Sequence, residues 1–239
     1  MATLPRARSG AFSFWQKLAI GLSAFIVFCF GQFALRGLVD YAHAPLVMHL
    51  HGLAMLTWLG LLTTQALLAG KGGPGGLSIH RRLGWASAVM VPTIVVLASA
   101  LCLTALRLGL FPPFFTPAYF LALVHVDALL FALLVGMAVS RRRQGDWHRR
   151  LMAGSTILLM EPALGRLLPM PLIMPWGEWV SMVIQLGVVW LIVRHDRRTL
   201  GHTHPATTAV AITVILAHVI VELLAITPPW IALAARFTA

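Results

Sequence analysis

Charge is what this chain has least of. Only 10% of its 239 residues are Asp, Glu, Lys or Arg, against about 25% in a soluble domain, which excludes a water-exposed globular surface. Acids are scarcest: 7 Asp and Glu stand against 18 Lys and Arg, for a formal charge of +11. Cysteine is nearly absent. Cys29 and Cys102 both stand inside apolar runs and read as small apolar side chains rather than a disulfide or a zinc site. No convincing small-residue cleavage site follows the basic start "MATLPRARSG", so the first apolar run is expected to stay as a span and not to be removed as a signal peptide.

What is abundant is hydrocarbon. Hydrophobic residues make up 59% of the chain and recur in runs of roughly 20, the length of a membrane-spanning helix. The sequence predicts an all-α polytopic membrane helix bundle, one integral membrane domain over residues 1–239. Seven spans are expected, near 14–36, 44–69, 82–107, 116–139, 149–168, 177–194 and 206–230, joined by short loops that make neighbours antiparallel. A strongly basic chain invites a nucleic-acid reading. Here the basic residues sit in short loops between spans, so the expected partner is the lipid bilayer and not nucleic acid.

Those loops alternate. Arg6, Arg8 and Lys17 precede or open the first span; Lys71, Arg81 and Arg82 lie between the second and third. Arg141, Arg142, Arg143, Arg149 and Arg150 lie between the fourth and fifth, and Arg194, Arg197 and Arg198 between the sixth and seventh. The positive-inside rule then puts the N-terminus in the cytoplasm and the C-terminus outside, which an odd span number requires as well.

The basic loops also carry a repeat. "IHRRLGWAS" at 79–87 and "WHRRLMAGS" at 147–155 each write His-Arg-Arg-Leu at the mouth of a span, with Pro92 and Pro162 a dozen or so residues further on. The preceding span carries a histidine in its outer part each time, His51 and His125. This reads as a duplicated two-helix hairpin core, about 44–107 and 116–168, its copies related by an axis along the membrane normal.

Four histidines thus fall on two levels: His51 and His125 in the outer half, His80 and His148 at the inner ends. Paired imidazoles on facing helices suit axial ligation of haem iron. His51, Met55, Trp58, Leu62 and Gln65 share one stripe of the second span, and His125, Leu129, Ala132 and Gly136 one stripe of the fourth, along which a planar cofactor could lie. Arg81, Arg82, Arg149 and Arg150 suit haem propionates or anionic lipid. His49, two residues from His51, points the other way, and one of the two is spare. A purely interfacial role for His80 and His148 stays open.

A second group competes. His218 and Glu222 lie one turn apart in "HVIVE"; Glu161 precedes Pro162, with Arg166 beyond; and Asp127 lies in the fourth span. With His51 and His125 they fall in the outer half, where buried carboxylates are costly unless paired or coordinated. They could form a catalytic group (Glu161, Glu222, His218), a proton path, a quinone pocket or an iron, copper or zinc site. On a structural reading, Glu161 pairs with Arg166 and Glu222 with His218, and Asp127 orients a histidine.

The two-level histidine layout over spans two to five resembles the ascorbate-reducible transmembrane di-haem b-type cytochromes. The resemblance implies two haems b, one on His51 and His125 and one on His80 and His148, and transmembrane electron transfer with a quinone or another redox partner. The phrases "HLHGLAMLTWLGLL", "IHRRLGW" and "WHRRLM" also resemble uncharacterised bacterial membrane families, in keeping with a bacterial inner membrane. Two other readings stand beside the electron carrier. One is a membrane-embedded enzyme, a possible oxidoreductase, acting on a lipid or quinone-like substrate through the outer His/Glu cluster. The other is an accessory or assembly subunit of a respiratory or photosynthetic complex, for which the apolar loop "PMPLIMPWGEW" offers a docking surface.

Overall fold

A computed structural model describes residues 12–70 and 74–238; Arg6, Arg8 and Lys71 lie outside them. Every regular element among the described residues is helical: α1 (Phe14–Leu35), α2 (Leu46–Gly70), α3 (Pro74–Gly84), α4 (Ala86–Leu108), α5 (Pro117–Ser140), α6 (Gly145–Leu158), α7 (Glu161–Leu167), α8 (Met170–Ile173), α9 (Gly177–Leu200), α10 (Pro205–Ile226) and α11 (Pro228–Ala235). Six helical runs are long and apolar enough to cross a membrane: Phe14–Leu35, Leu46–Ala69, Gly75–Leu108, Pro117–Ser140, Gly177–Leu200 and Pro205–Ile226. The protein is a multi-pass helical membrane bundle.

Local sequence sets the helix ends. Ser13 caps α1, its hydroxyl accepting from the Gln16 N–H while the Gln16 side chain accepts from the Ser13 N–H at 2.8 Å. Thr116 accepts from the Tyr119 N–H at 3.1 Å ahead of Pro117, the favoured first residue of α5. Gly201 ends α9 at φ 79°, a left-handed conformation that glycine adopts without penalty.

The expected fifth span is not one helix. Its residues form α6 and α7, broken at Leu159 and Met160 just before Pro162. Proline has no N–H to give the carbonyl four residues back, and its ring crowds that carbonyl. The two pieces still carry the chain across the bundle. Arg150, early in α6, pairs with Asp196 near the end of α9. Beyond the break, the Arg166 carbonyl of α7 accepts from Gln32 near the end of α1 at 2.9 Å. The α6–α7 pair therefore runs from one end of the bundle to the other beside the six longer helical runs.

Two other boundaries differ from expectation. The third pass begins earlier than expected, with α3 ahead of α4. The seventh ends at Ile226, where Thr227 is extended ahead of Pro228. The following α11 folds back onto the start of α5, the Trp230 indole N–H donating to the Ala118 carbonyl at 2.9 Å.

The bundle therefore has two ends. The basic end gathers the start of α1, the ends of α2, α5 and α9, and the starts of α3, α6 and α10. The opposite end gathers the α1–α2, α4–α5 and α7–α9 connections with α11. Lys17, Arg81, Arg82, Arg141, Arg142, Arg143, Arg149, Arg150, Arg194, Arg197 and Arg198 lie at the basic end; Arg36, Arg107, Arg166 and Arg236 lie at the opposite one. Apolar side chains such as Leu53, Val96, Leu133, Val183 and Leu223 are exposed around the outside, as lipid contact requires. Inside, Trp58 meets Phe131 edge to face at 5.2 Å.

Candidate functional site

At the opposite end three helices converge on a buried network. Glu178 opens α9, Tyr119 lies in the first turn of α5, and His218 lies two turns from the end of α10. Glu178 and His218 are each 2% exposed. His218 Nδ1 lies 2.6 Å from Glu178 Oε1, and the Tyr119 hydroxyl donates to Glu178 Oε2. Two donors on one carboxylate satisfy a group that would otherwise be costly in an apolar surround. With Nδ1 bound to the carboxylate, His218 keeps Nε2 for another partner, and that atom is buried and unpaired among the described residues.

The same face of α9 continues the network. Ser181 and Gln185 follow Glu178 at three and seven residues, and both are fully buried. Gln185 Nε2 donates to Glu161 Oε2 at 3.1 Å; Ser181 Oγ lies beside Glu161 and, like Gln185 Oε1, makes no hydrogen bond of ordinary geometry among the described residues. Glu161 is 2% exposed at the α6–α7 break. Asp127 and Glu222 lie within electrostatic reach of Glu178.

Three of the expected outer residues, Glu161, His218 and Glu222, thus belong to one neighbourhood, but not through the expected pairs. Glu161 binds Gln185, not Arg166, whose guanidinium donates to the Pro162 carbonyl at 2.7 Å. His218 binds Glu178 from another helix, not Glu222 from its own. Asp127 makes no hydrogen bond to a histidine among the described residues. Glu178, Tyr119, Ser181 and Gln185 did not figure in the sequence reading. The signal for them was a polar i, i+3, i+7 stripe opening an apolar span, hidden by assigning "PWGEW" to a loop.

The histidines divide. His80 on α3 and His148 on α6 meet at the basic end with ring centroids 6.1 Å apart and planes at 83°. Each Nδ1 is held by a main-chain carbonyl, His80 by Gln65 at 3.2 Å and His148 by Ala138 at 2.9 Å. A backbone acceptor on Nδ1 fixes the tautomer that leaves Nε2 as a free lone pair. An open groove of about 450 Å³, lined by Leu77, Ser78, Arg81 and Arg82, lies on the helix that carries His80.

His51 and His125 are not joined by any hydrogen bond or ring contact among the described residues. His125 is engaged at both nitrogens, Nδ1 at 2.9 Å from the Leu121 carbonyl and Nε2 at 3.0 Å from the Ser99 hydroxyl. Its stripe faces outward: Leu129 is 61% exposed, and open space adjoins Gly136. His51 keeps a buried, unpaired Nδ1 near Arg166, whereas His49 is exposed beside Tyr41.

The arginines divide as well. Arg149 is exposed and pairs with Asp146. Arg150 is 1% exposed and binds Asp196, which is fully buried, at 2.5 Å through Nη2 and 3.1 Å through Nε. Asp196 also accepts from the Thr207 hydroxyl at 2.6 Å and the His204 N–H at 3.1 Å. This network is filled on every side and ties α6, α9 and α10 together. Among the described residues, no three of His, Cys, Asp and Glu are placed to hold a metal ion, so a metal at the basic end would rest on the histidine pair. The chain matches no protein-family model, no curated protein and no solved structure.

Proposed function

We propose that this protein is a membrane-bound one-electron carrier in which His80 and His148 hold a transition-metal centre, the iron of a b-type haem. The observation that carries the reading is the pair itself. An imidazole nitrogen ligates a first-row metal at about 2 Å, so two rings sharing one ion have centroids roughly 5–6 Å apart; these stand at 6.1 Å, within reach of one ion. The Gln65 and Ala138 carbonyls orient both rings and raise their basicity as ligands. Arg81 and Arg82, at the groove beside His80, suit the carboxylates of a porphyrin. When bound, the group supplies a one-electron couple near one membrane face. With both His125 nitrogens engaged, one centre is proposed and not two.

The charge bias supports a bacterial inner membrane, with the basic end and the N-terminus in the cytoplasm and the C-terminus in the periplasm. The centre would then exchange electrons at the cytoplasmic side, with a quinol or another redox partner. A reporter enzyme active only in the periplasm should work when fused after Ala239 and stay inactive when fused in the Arg141–Gln144 loop. The reverse pattern would overturn the orientation.

The central test is an optical spectrum of the detergent-purified chain, oxidised and then reduced, with metal analysis of the same sample. A reduced b-type α band and one haem per chain are expected, and His80→Ala and His148→Ala should each remove the band. Folded protein with no Soret band and no stoichiometric transition metal would sink the proposal.

A further inference from the structure

The network at the opposite end plays no part in holding a metal at His80 and His148. It consists of proton carriers in sequence, each on a different helix or a successive turn. Glu222 is half-buried near the end of α10. One turn deeper, His218 offers a free, buried Nε2 and joins Glu178 at 2.6 Å. Glu178 also receives the Tyr119 hydroxyl. Ser181, one turn further along α9, has a buried hydroxyl beside Glu161 that makes no hydrogen bond of ordinary geometry among the described residues. One more turn on, Gln185 meets Glu161 at 3.1 Å.

From Glu178 to Gln185 this stripe descends about 10 Å along α9, at about 1.5 Å per residue. Then it stops. The next residues on the same face are Val189 and Ile192, at 2% and 0% exposure, before Asp196 at the basic end. Asp196 is saturated by Arg150, Thr207 and His204. The polar path therefore opens toward one end only.

We propose that Glu222, His218, Glu178, Ser181 and Glu161 form a proton half-channel that enters from the opposite end of the bundle and terminates at Glu161. The chemistry of the lining selects the cargo. Four carboxyl groups lie in the neighbourhood: Asp127 of α5, Glu161 of α7, Glu178 of α9 and Glu222 of α10. His218 is the one basic side chain hydrogen-bonded among them. Arg166, on the helix that Glu161 opens, is turned to the Pro162 carbonyl and the faces of Phe30 and Phe33. Neighbouring buried carboxyls without a cation share protons instead of ionising together. Glu178 accepts from a tyrosine and a histidine; Glu161 has only neutral hydrogen-bonding neighbours, the Gln185 amide at 3.1 Å and the Ser181 hydroxyl beside it, and is the carboxyl to which the proposal assigns the held proton. Glu161, Glu178 and His218 are each 2% exposed. A proton reaches such groups through a water chain, whereas an organic molecule would have to part the helices.

When Glu161 has given up its proton, one transfer restores it, and that transfer balances without electrons. A proton leaves a water cluster and bonds to His218 Nε2; the Nδ1 proton passes to Glu178 Oε1. The Ser181 hydroxyl takes that proton and releases its own to Glu161. The solvent has lost one proton, Glu161 has gained one, and the His218 ring is left in its other tautomer.

Infrared spectroscopy of the purified full-length chain tests this whether or not a metal is bound, so its failure is distinct from failure of the electron-carrier reading. A protonated-carboxyl band that shifts on transfer to D₂O is expected, and it should be lost in Glu161→Gln. Glu178→Gln should keep the band but slow its exchange with D₂O, and Glu178→Asp should recover the rate. Glu222 is half-buried, so Glu222→Gln keeps the fold and gives a second measure of the slowing if Glu178→Gln does not fold. Survival of the band in Glu161→Gln, absence of any such band in the parent chain, or unchanged exchange in Glu222→Gln would overturn the half-channel.

Discussion

Arg150→Met is expected to destabilise the bundle by about 3–5 kcal/mol, the usual cost of leaving one partner of a buried ion pair alone. The reason is Asp196. It is fully buried and takes three hydrogen-bond contacts from Arg150, at 2.5, 3.1 and 3.3 Å, besides those from Thr207 and His204. Without the guanidinium, a carboxylate charge would stay inside the bundle with two neutral donors. The same arginine also ties its own first turn, Nη1 donating to the Asp146 carbonyl at 2.8 Å. A fall in the apparent melting midpoint in detergent on the order of 10 °C follows from that energy for a chain of this size. Adding Asp196→Asn should recover most of it, because the asparagine oxygen still accepts from Thr207 and His204 and no charge remains. Arg149→Met, which breaks only an exposed pair, should change the midpoint little. If Arg150→Met and Arg149→Met melt together, the buried pair is not what joins α6 to α9.

Adjacent arginines with such different fates show what the sequence could and could not tell. The apolar runs located the six helices long enough to cross a membrane, because span length is a local property that the bilayer enforces. The repeated His-Arg-Arg-Leu also brought His80 and His148 to one level. That Arg150 turns inward while Arg81, Arg82 and Arg149 stay exposed was not legible, since only α9 supplies the aspartate that selects Arg150. The prolines make the same point. Pro92 and Pro162 occupy matching places in the two hairpins, yet α4 runs through the first and the second separates α6 from α7. Whether a proline breaks a span depends on the neighbours that take up the freed carbonyl, and these lie far away in the chain. Glu178 escaped notice for a related reason: its role depends on Tyr119 and His218, 59 and 40 residues away. His125 shows a further limit: its nitrogens are taken by Ser99 and the Leu121 carbonyl and its stripe turns toward the outside, which position along a span does not reveal.

Gly154→Val should cost about 2–3 kcal/mol, in the range of overpacked cores, and the position explains why. Gly154 lies one turn beyond Arg150 on the same face of α6 and is packed directly against Val210 of α10. A Cβ there would stand 2.8 Å from Val210 Cγ1 and closer still to Cγ2. Valine 210 is β-branched and stiff at χ1, and it is fully buried, so it cannot turn aside. The helices must separate instead, and α6 carries both Arg150 and His148. The strain should therefore spread to the Asp196 network and to the His80–His148 pair. A double-mutant cycle isolates the contact. Val210→Ala alone leaves a small cavity and destabilises, and Gly154→Ala alone overpacks. Combined, they should be more stable than the sum of the two by about 1–2 kcal/mol, the coupling typical of side chains in contact. Additive effects would mean that α6 and α10 are held apart from that contact by something else. A coupling of the expected size would show that the absence of one side chain at Gly154 lets the helix bearing His148 settle against α10.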